Sequence, residues 1–175
     1  MSIDIEFDGL TRSIEDVKSG RPIATVIRPW STLSLASLQL VNAWRFRWNV
    51  EAAEAGRSVF ALEAVGVAGV QGLISIEAQD GYAYVHLIEN APHNVGRRRR
   101  YKGVAGNLFA FACKHSIELG FEGFLCFLSK TALVDHYVSS LGARRVGSSA
   151  RMTLDSATAR TLVARYFKEY DQWPT

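Results

Sequence analysis

The sequence has little that could hold a metal ion or build a disulfide framework: two cysteines and four histidines in 175 residues. Cys113 and Cys126 lie inside apolar segments, with no partner at metal-ligand spacing. They read as small core residues in a reducing compartment, and no metal is expected. No stretch approaches the roughly 18 to 20 consecutive apolar residues that span a bilayer. The opening MSIDIEFDGLTRSIEDVKSG lacks a basic start followed by an apolar run and a cleavage site, so the expectation is a soluble, cytoplasmic protein without a membrane partner. There is no internal repeat and no low-complexity tract. An excess of one charge is also missing: 20 Lys and Arg stand against 17 Asp and Glu, a net charge of +3, where a dedicated nucleic-acid binder usually carries more. The Gly-x-x-x-x-Gly-Lys-Ser/Thr pattern is absent, which sets a P-loop nucleotide site aside.

What is present suits one compact domain over residues 1–175, with 48% hydrophobic and 21% charged residues. Residues 3–8 and 22–28 read as short strands, and a helix is expected over part of residues 31–55, ending at Gly56. Three extended segments follow: SVFALEAVG, VQGLISIEAQ and YAYVHLIENA. Asp80-Gly81 between the last two is a hairpin signal, so the three form an antiparallel meander that stops near Pro92. Val104, Leu108, Phe111, Ala112, His115 and Leu119 recur at helical steps, predicting an amphipathic helix that ends at Gly120. FEGFLCFLS has strand length. A further helix is expected from about Thr131 to Leu141, burying Leu133, Val134, Tyr137, Val138 and Leu141, with Gly142 as its stop. ARRVGS and ARMTLD read as extended, and Asp155 or Ser156 caps a last helix, ATARTLVARYFKEY. The order predicts a mixed α/β (α+β) domain with a central, mostly antiparallel sheet flanked by helices.

The basic residues concentrate at Arg97, Arg98, Arg99, Arg100 and Lys102, immediately before Gly103-Val104-Ala105-Gly106 and the helix. The first four N–H groups of a helix lack intrahelical partners and lie at the positive end of its dipole, so such a junction suits a phosphate. Gly103, Ala105 and Gly106 keep side chains out of the way of a pyrophosphate, and the arginines add bidentate donors.

Arg100-x-x-Gly103-x-Ala105 resembles the Arg/Gln-x-x-Gly-x-Gly/Ala signature of the GNAT superfamily of acyl-CoA-dependent N-acyltransferases. The preceding meander, the following helix, the strand FLCFLS, the helix carrying Tyr137 and the closing Leu141-Gly142-Ala143 extend the resemblance over about residues 58–150. The first 57 residues match only in order of elements, and the helix within residues 155–175 is an addition. The resemblance implies transfer of an acetyl group from acetyl-CoA to an amine by direct attack. It implies a cofactor site made of Leu87, Ile88, Arg98, Arg99, Arg100, Tyr101, Lys102, Gly103, Val104, Ala105, Gly106, Asn107, Lys130 and Thr131. Two positions depart from the family pattern. The tyrosine that protonates the departing thiolate commonly lies four residues before the glycine of Leu-Gly-Phe; here that position is Val138, and Tyr137 lies five before Gly142. The asparagine that often begins this helix is replaced by Ser129, Lys130 and Thr131.

Acyl transfer needs a base for the ammonium and an acid for the thiolate. Glu89, at the end of the third meander strand, is the first candidate for the base, acting directly or through a water; a solvent-facing carboxylate or a partner for nearby arginines is the competing reading. Tyr137 is the candidate acid, against packing on the helix's apolar stripe. Glu77, His93 and Asn94 are candidate substrate contacts, and His86 flanks them. Trp30, Trp44, Phe46 and Trp48 line a pocket or pack the core. Specificity is expected in residues 28–57 and in the loop 91–99. The acceptor stays open among a small-molecule amine, a protein amine and aminoacyl-tRNA. A homodimer through the closing strands and last helix, and a non-catalytic CoA- or nucleic-acid-binding module of the same fold, stay open too.

Overall fold

The computed structural model describes residues 3–5, 11, 13–41 and 43–167. Its elements run β1 (Ile14–Asp16), β2 (Pro22–Ile23), β3 (Thr25–Pro29), α1 (Thr32–Val41), α2 (Trp48–Glu51), β4 (Arg57–Ala64), β5 (Val70–Gln79) and β6 (Tyr82–Asn90). They continue with β7 (Tyr101–Lys102), α3 (Val104–Glu118), β8 (Leu125–Leu128), α4 (Val134–Leu141), β9 (Arg144–Arg145), β10 (Arg151–Leu154) and α5 (Ser156–Tyr166). Short 3-10 turns sit at Pro92–Asn94 and Thr131–Leu133.

A seven-stranded sheet has the order β3-β4-β5-β6-β8-β10-β9. Only β6 and β8 pair in parallel; the other neighbours are antiparallel. This is the mixed, mostly antiparallel sheet flanked by helices that the sequence order predicts. The meander is β4-β5-β6, and Gln79 pairs with Tyr82 across the Asp80-Gly81 turn, where Gly81 has φ 86. A second, three-stranded sheet, β2-β1-β7, joins the N-terminal hairpin to the end of the arginine run.

The sheet is covered on both faces. On one, Leu73 and Leu87 pack with Leu35 and Trp48 of α1 and α2; on the other, Ile74, Ile76, Val85 and Ile88 pack with α3, Tyr137 and α5. The helix expected to be amphipathic is more deeply placed than its periodicity implies: residues 104–113 of α3 are all buried, because the sheet lies on one side and α5 packs on another. Gly72 of β5 permits this approach, since a Cβ there would stand 2.8 Å from Val104 Cγ1 and 2.9 Å from Leu108 Cδ1.

Several boundaries differ from the sequence reading. The segment 31–55 holds two helices, broken at residues 43–47, and the expected strand 22–28 divides into β2 and β3. Of the expected strand 3–8, Ile3 forms a single bridge to Ser129, and residues 6–8 lie outside the described residues. Val138, expected in the core, is 46% exposed, because the turn at Thr131–Leu133 sets the phase of α4 so that Val134, Tyr137 and Leu141 face inward. Asp155 is the cap of α5, accepting from the Thr158 N–H at 2.9 Å; the last residues of that expected helix, 168–170, lie outside the described residues. Cys113 and Cys126 are buried, and burial pushes both thiols above their usual range. Among the described residues no helix is long and apolar enough to cross a membrane.

Candidate active site

The site begins with a loss of pairing. β6 and β8 are in register only over residues 83–85 and 125–127. Ser75 pairs with Leu87 and Ile76 with Val85, so His86 is the extra residue of a β-bulge on β6. The bulge is pinned by His86 Nε2, 2.7 Å from Glu77 Oε2. That bond, more than any other cause, holds the Glu77 carboxyl below its usual range. Beyond the bulge β6 keeps its partner β5, while β8 turns away and leaves a wedge between them.

The wedge is occupied by the chain's own N-terminal residues. Ile3 N–H donates to Leu128 O at 2.5 Å, and Lys130 N–H donates to Ile3 O at 3.1 Å. The Tyr137 hydroxyl donates to Ile5 O at 2.7 Å and accepts from Ile5 N–H at 3.2 Å. Asp4 pairs with Lys130 and, at 2.8 Å, with Arg45; the Lys130 bond, ahead of the Arg45 contact, holds its carboxyl below the ordinary value. Tyr137 is fully buried against Phe109 and Phe127.

At the mouth of the wedge lies a cavity of about 620 Å³. Ile88, Glu89 and Asn90 of β6 form one wall, Arg45 and Phe46 another, and Pro92, Asn94 and Arg99 the rim. Glu89 is the clamp of this cavity. Its Oε1 accepts from Arg45 N–H at 2.6 Å, and its Oε2 accepts from Phe46 N–H at 3.3 Å and from Trp48 Nε1–H at 2.6 Å. It is thus neither a free solvent carboxylate nor a partner of the arginine run; it organises residues 45–48 and presents what remains of its acceptor capacity to the cavity.

The glycine junction has the expected sequence position and an unexpected neighbour. Gly103 is the N-cap of α3 at φ 82, a conformation that favours glycine. The space its missing Cβ leaves is filled from within: that Cβ would collide with Thr11 Oγ1 and come 3.0 Å from Ser13 O. Val104, Ala105, Gly106 and Asn107 are buried, and Asn107 donates to Thr25 Oγ1 at 3.1 Å. Tyr101 and Lys102 form β7, paired with Asp16 and Glu15 of β1. Lys102 Nζ lies 2.9 Å from Glu15 Oε2, and Val17 N–H donates to Arg100 O at 2.9 Å. Arg97, Arg98 and Arg100 are exposed, whereas Arg99 turns toward the cavity.

The remaining candidates separate. Glu77 and His86 bind one another and do not line the cavity, and Leu87 points into the core on the opposite face of the sheet from Ile88. His93 lies 2.8 Å from Gln71 Oε1, with burial first and the Arg100 charge second holding its pKa down. Asn94 is buried; its Nδ2 donates to Gln71 O and its Oδ1 accepts from Tyr101 N–H, so it shapes the loop at the cavity rim. Thr131 opens the turn before α4. Sequence reasoning missed Asp4, Ile5, Thr11, Arg45 and Asn90. Asp4 and Ile5 stand in the alternating stretch IDIEFD, which marks a strand and carries no sign of its partner.

No protein-family model matches the sequence, and no curated protein matches it by sequence. Among solved structures, an IAA acetyltransferase from Bacillus cereus superposes with a TM-score of 0.52 at 13% identity, over 75% of this chain and 99% of that one. A structure of AtaTR bound with AcCoA superposes with a TM-score of 0.52 at 11% identity, over 79% and 97% of the two chains. The fold is that of the GNAT acetyltransferases. At these identities the likeness is one of fold.

Within the GNAT fold of this chain, the wedge between β6 and β8 opens at the cavity, where Asp4 and Ile5 lie beside Ile88 and Glu89. Glu89 holds the wall of that cavity. In Glu89→Ala the Arg45 and Phe46 amides lose their acceptor, a change worth about 1–3 kcal/mol for bonds of this kind. Their hydrogen exchange should accelerate by roughly tenfold or more, with α3 amides unchanged. Unaltered exchange at residues 45 and 46 contradicts the clamp.

The Glu77–His86 bond makes a separate test of the bulge. A carboxyl depressed on folding contributes stability that is complete above its unfolded value and is lost as pH falls through its folded one. The urea midpoint of the wild type should exceed that of Glu77→Gln near neutral pH, and the gap should close as pH drops below the ordinary value of 4.5. A gap independent of pH contradicts the bond.

Proposed function

We propose that the protein is an N-acyltransferase that takes an acyl group, acetyl in the simplest case, from acyl-CoA and passes it to an amine. The observation that carries this reading is the wedge opened by the His86 bulge between β6 and β8, with the cavity walled by Glu89 at its mouth. The superposition on acetyltransferases supports it at the level of fold, and the AtaTR structure was solved with AcCoA bound.

Acyl-CoA supplies a thioester whose C–S bond breaks as the amine nitrogen bonds to its carbonyl carbon. In this reading residues 100–106 hold the nucleotide end, with Arg98 and Lys102 facing its phosphates and the α3 N–H groups completing the anion site. The β6 backbone at Leu87 and Ile88 lines the wedge, with Lys130 and Thr131 across it. Glu89 binds the acceptor's ammonium and takes its proton, directly or through a water, and Tyr137 returns a proton to the leaving sulfur. The acceptor cavity, with Phe46 and Ile88 beside Glu89 and Arg99, suits a small amine bearing an apolar part and an anionic group.

With residues 3–5 in the wedge and Thr11 and Ser13 against Gly103, acyl-CoA does not fit the site as it stands. The test is therefore run on the wild-type chain and on Asp4→Ala, which lacks the ion pairs to Arg45 and Lys130. A ligand that binds only the folded state at 100 times its Kd adds about 2.7 kcal/mol. Saturating acetyl-CoA should raise the melting temperature of at least one of the two proteins by several degrees, and free CoA should do so too. No shift in either protein contradicts the reading.

A further inference from the structure

The groups that acyl-CoA would use are held by this chain's own N-terminal residues, and we propose that residues 3–5, 11 and 13–17 are a displaceable occupant that keeps the enzyme closed until the acyl donor replaces them. This rests on the acyl-CoA reading of the wedge.

The contacts follow the path a nucleotide diphosphate joined to an amide-bearing arm would take. At the anion end, Glu15 puts a carboxylate on Lys102, Val17 bonds to Arg100 O, and Thr11 and Ser13 fill the space in front of Gly103. In the wedge, Ile3 takes Leu128 O and the Lys130 N–H, a single parallel bridge at the edge of β8. At the reacting end, Ile5 occupies the Tyr137 hydroxyl on both its donor and acceptor sides. A carboxylate stands where phosphate charge belongs, and peptide amides stand where the arm's amides belong.

The occupant is attached to the fold in a way that permits release. Its ion pairs are partly solvent-exposed: the side chains of Arg45, Lys130 and Lys102 are 59%, 46% and 41% exposed, against 21% for Asp4 and 25% for Glu15, and exposed pairs contribute little. Ile3, Ile5 and Ile14 are its buried apolar anchors. The seven-stranded sheet does not include it: its ladders are β1–β7 and β1–β2, each of two residue pairs, with the single bridge of Ile3 to Ser129. Two consequences follow. The apparent affinity for acyl-CoA is reduced by the fraction of molecules that are open. The Tyr137 hydroxyl becomes available only as Ile5 leaves, so donor entry and exposure of the acid are one event.

The experiment is residue-resolved hydrogen exchange of the full chain with and without saturating acetyl-CoA, together with acetyl-CoA titrations of the wild type and of the Asp4→Ala/Glu15→Gln variant. Exchange of the Ile3, Ile5 and Val17 amides should accelerate at least about tenfold on binding, and the variant should bind at least about threefold more tightly. Binding by the variant alone also supports the occupant. Binding by the wild type with Ile5 and Val17 amides as protected as before overturns the occupant and leaves the acyl-CoA reading standing. If neither protein binds, both fall. The exchange measurement needs no variant, so a misfolded double substitution does not remove the test.

Discussion

The site depends on one constraint: β6 loses β8 as a partner after Val85. Backbone N–H and C=O groups in a buried sheet must be satisfied, so separating two central strands is costly unless something enters between them. The His86 bulge causes the separation by adding a residue to β6 against β5, and Glu77 holds that residue in place. Everything downstream has a place because of it. The wedge needs an occupant, and the cavity forms at its mouth.

Three groups around the wedge then have their roles set by their neighbours rather than by residue type. Glu89 could have been a free carboxylate, but three N–H donors make it the anchor of residues 45–48. Tyr137 is buried with its hydroxyl directed at the wedge, so whatever lies there meets a phenol. Gly103 has the left-handed backbone that a close approach requires, and the approaching atoms belong to Thr11 and Ser13. Ile5 takes the Tyr137 hydroxyl on both sides, so the chain itself closes the cleft over the buried phenol.

Much of the fold is legible in the sequence because its signals are local. The meander follows from period-two alternation and the Asp80-Gly81 turn, α3 from its apolar spacing, and the cap of α5 from Asp155. The glycine junction is legible for the same reason, because Gly103 directly precedes the apolar spacing of α3. The occupant is not. The bridge of Ile3 to Ser129 joins residues 126 positions apart, and the contact of Thr11 with Gly103 spans 92. Nothing within a window around Ile3, Asp4 and Ile5 distinguishes residues that line the site from residues that fill it. Val138 is misplaced by pattern because the 3-10 turn at Thr131–Leu133 sets the rotation of α4. Glu89 stands at the end of β6, where its strand position in the sequence puts it, while its partners come from residues 45–48, where the apolar spacing is irregular.

The most direct measurement of the central claim is a crystal structure with a non-hydrolysable acetyl-CoA analogue. The account predicts the analogue's amide-bearing arm between β6 and β8, its sulfur beside the Tyr137 hydroxyl and its phosphates at Gly103, with residues 3–5 withdrawn from Leu128 and Lys130. An analogue bound elsewhere, with Ile3 and Ile5 still in the wedge, contradicts it.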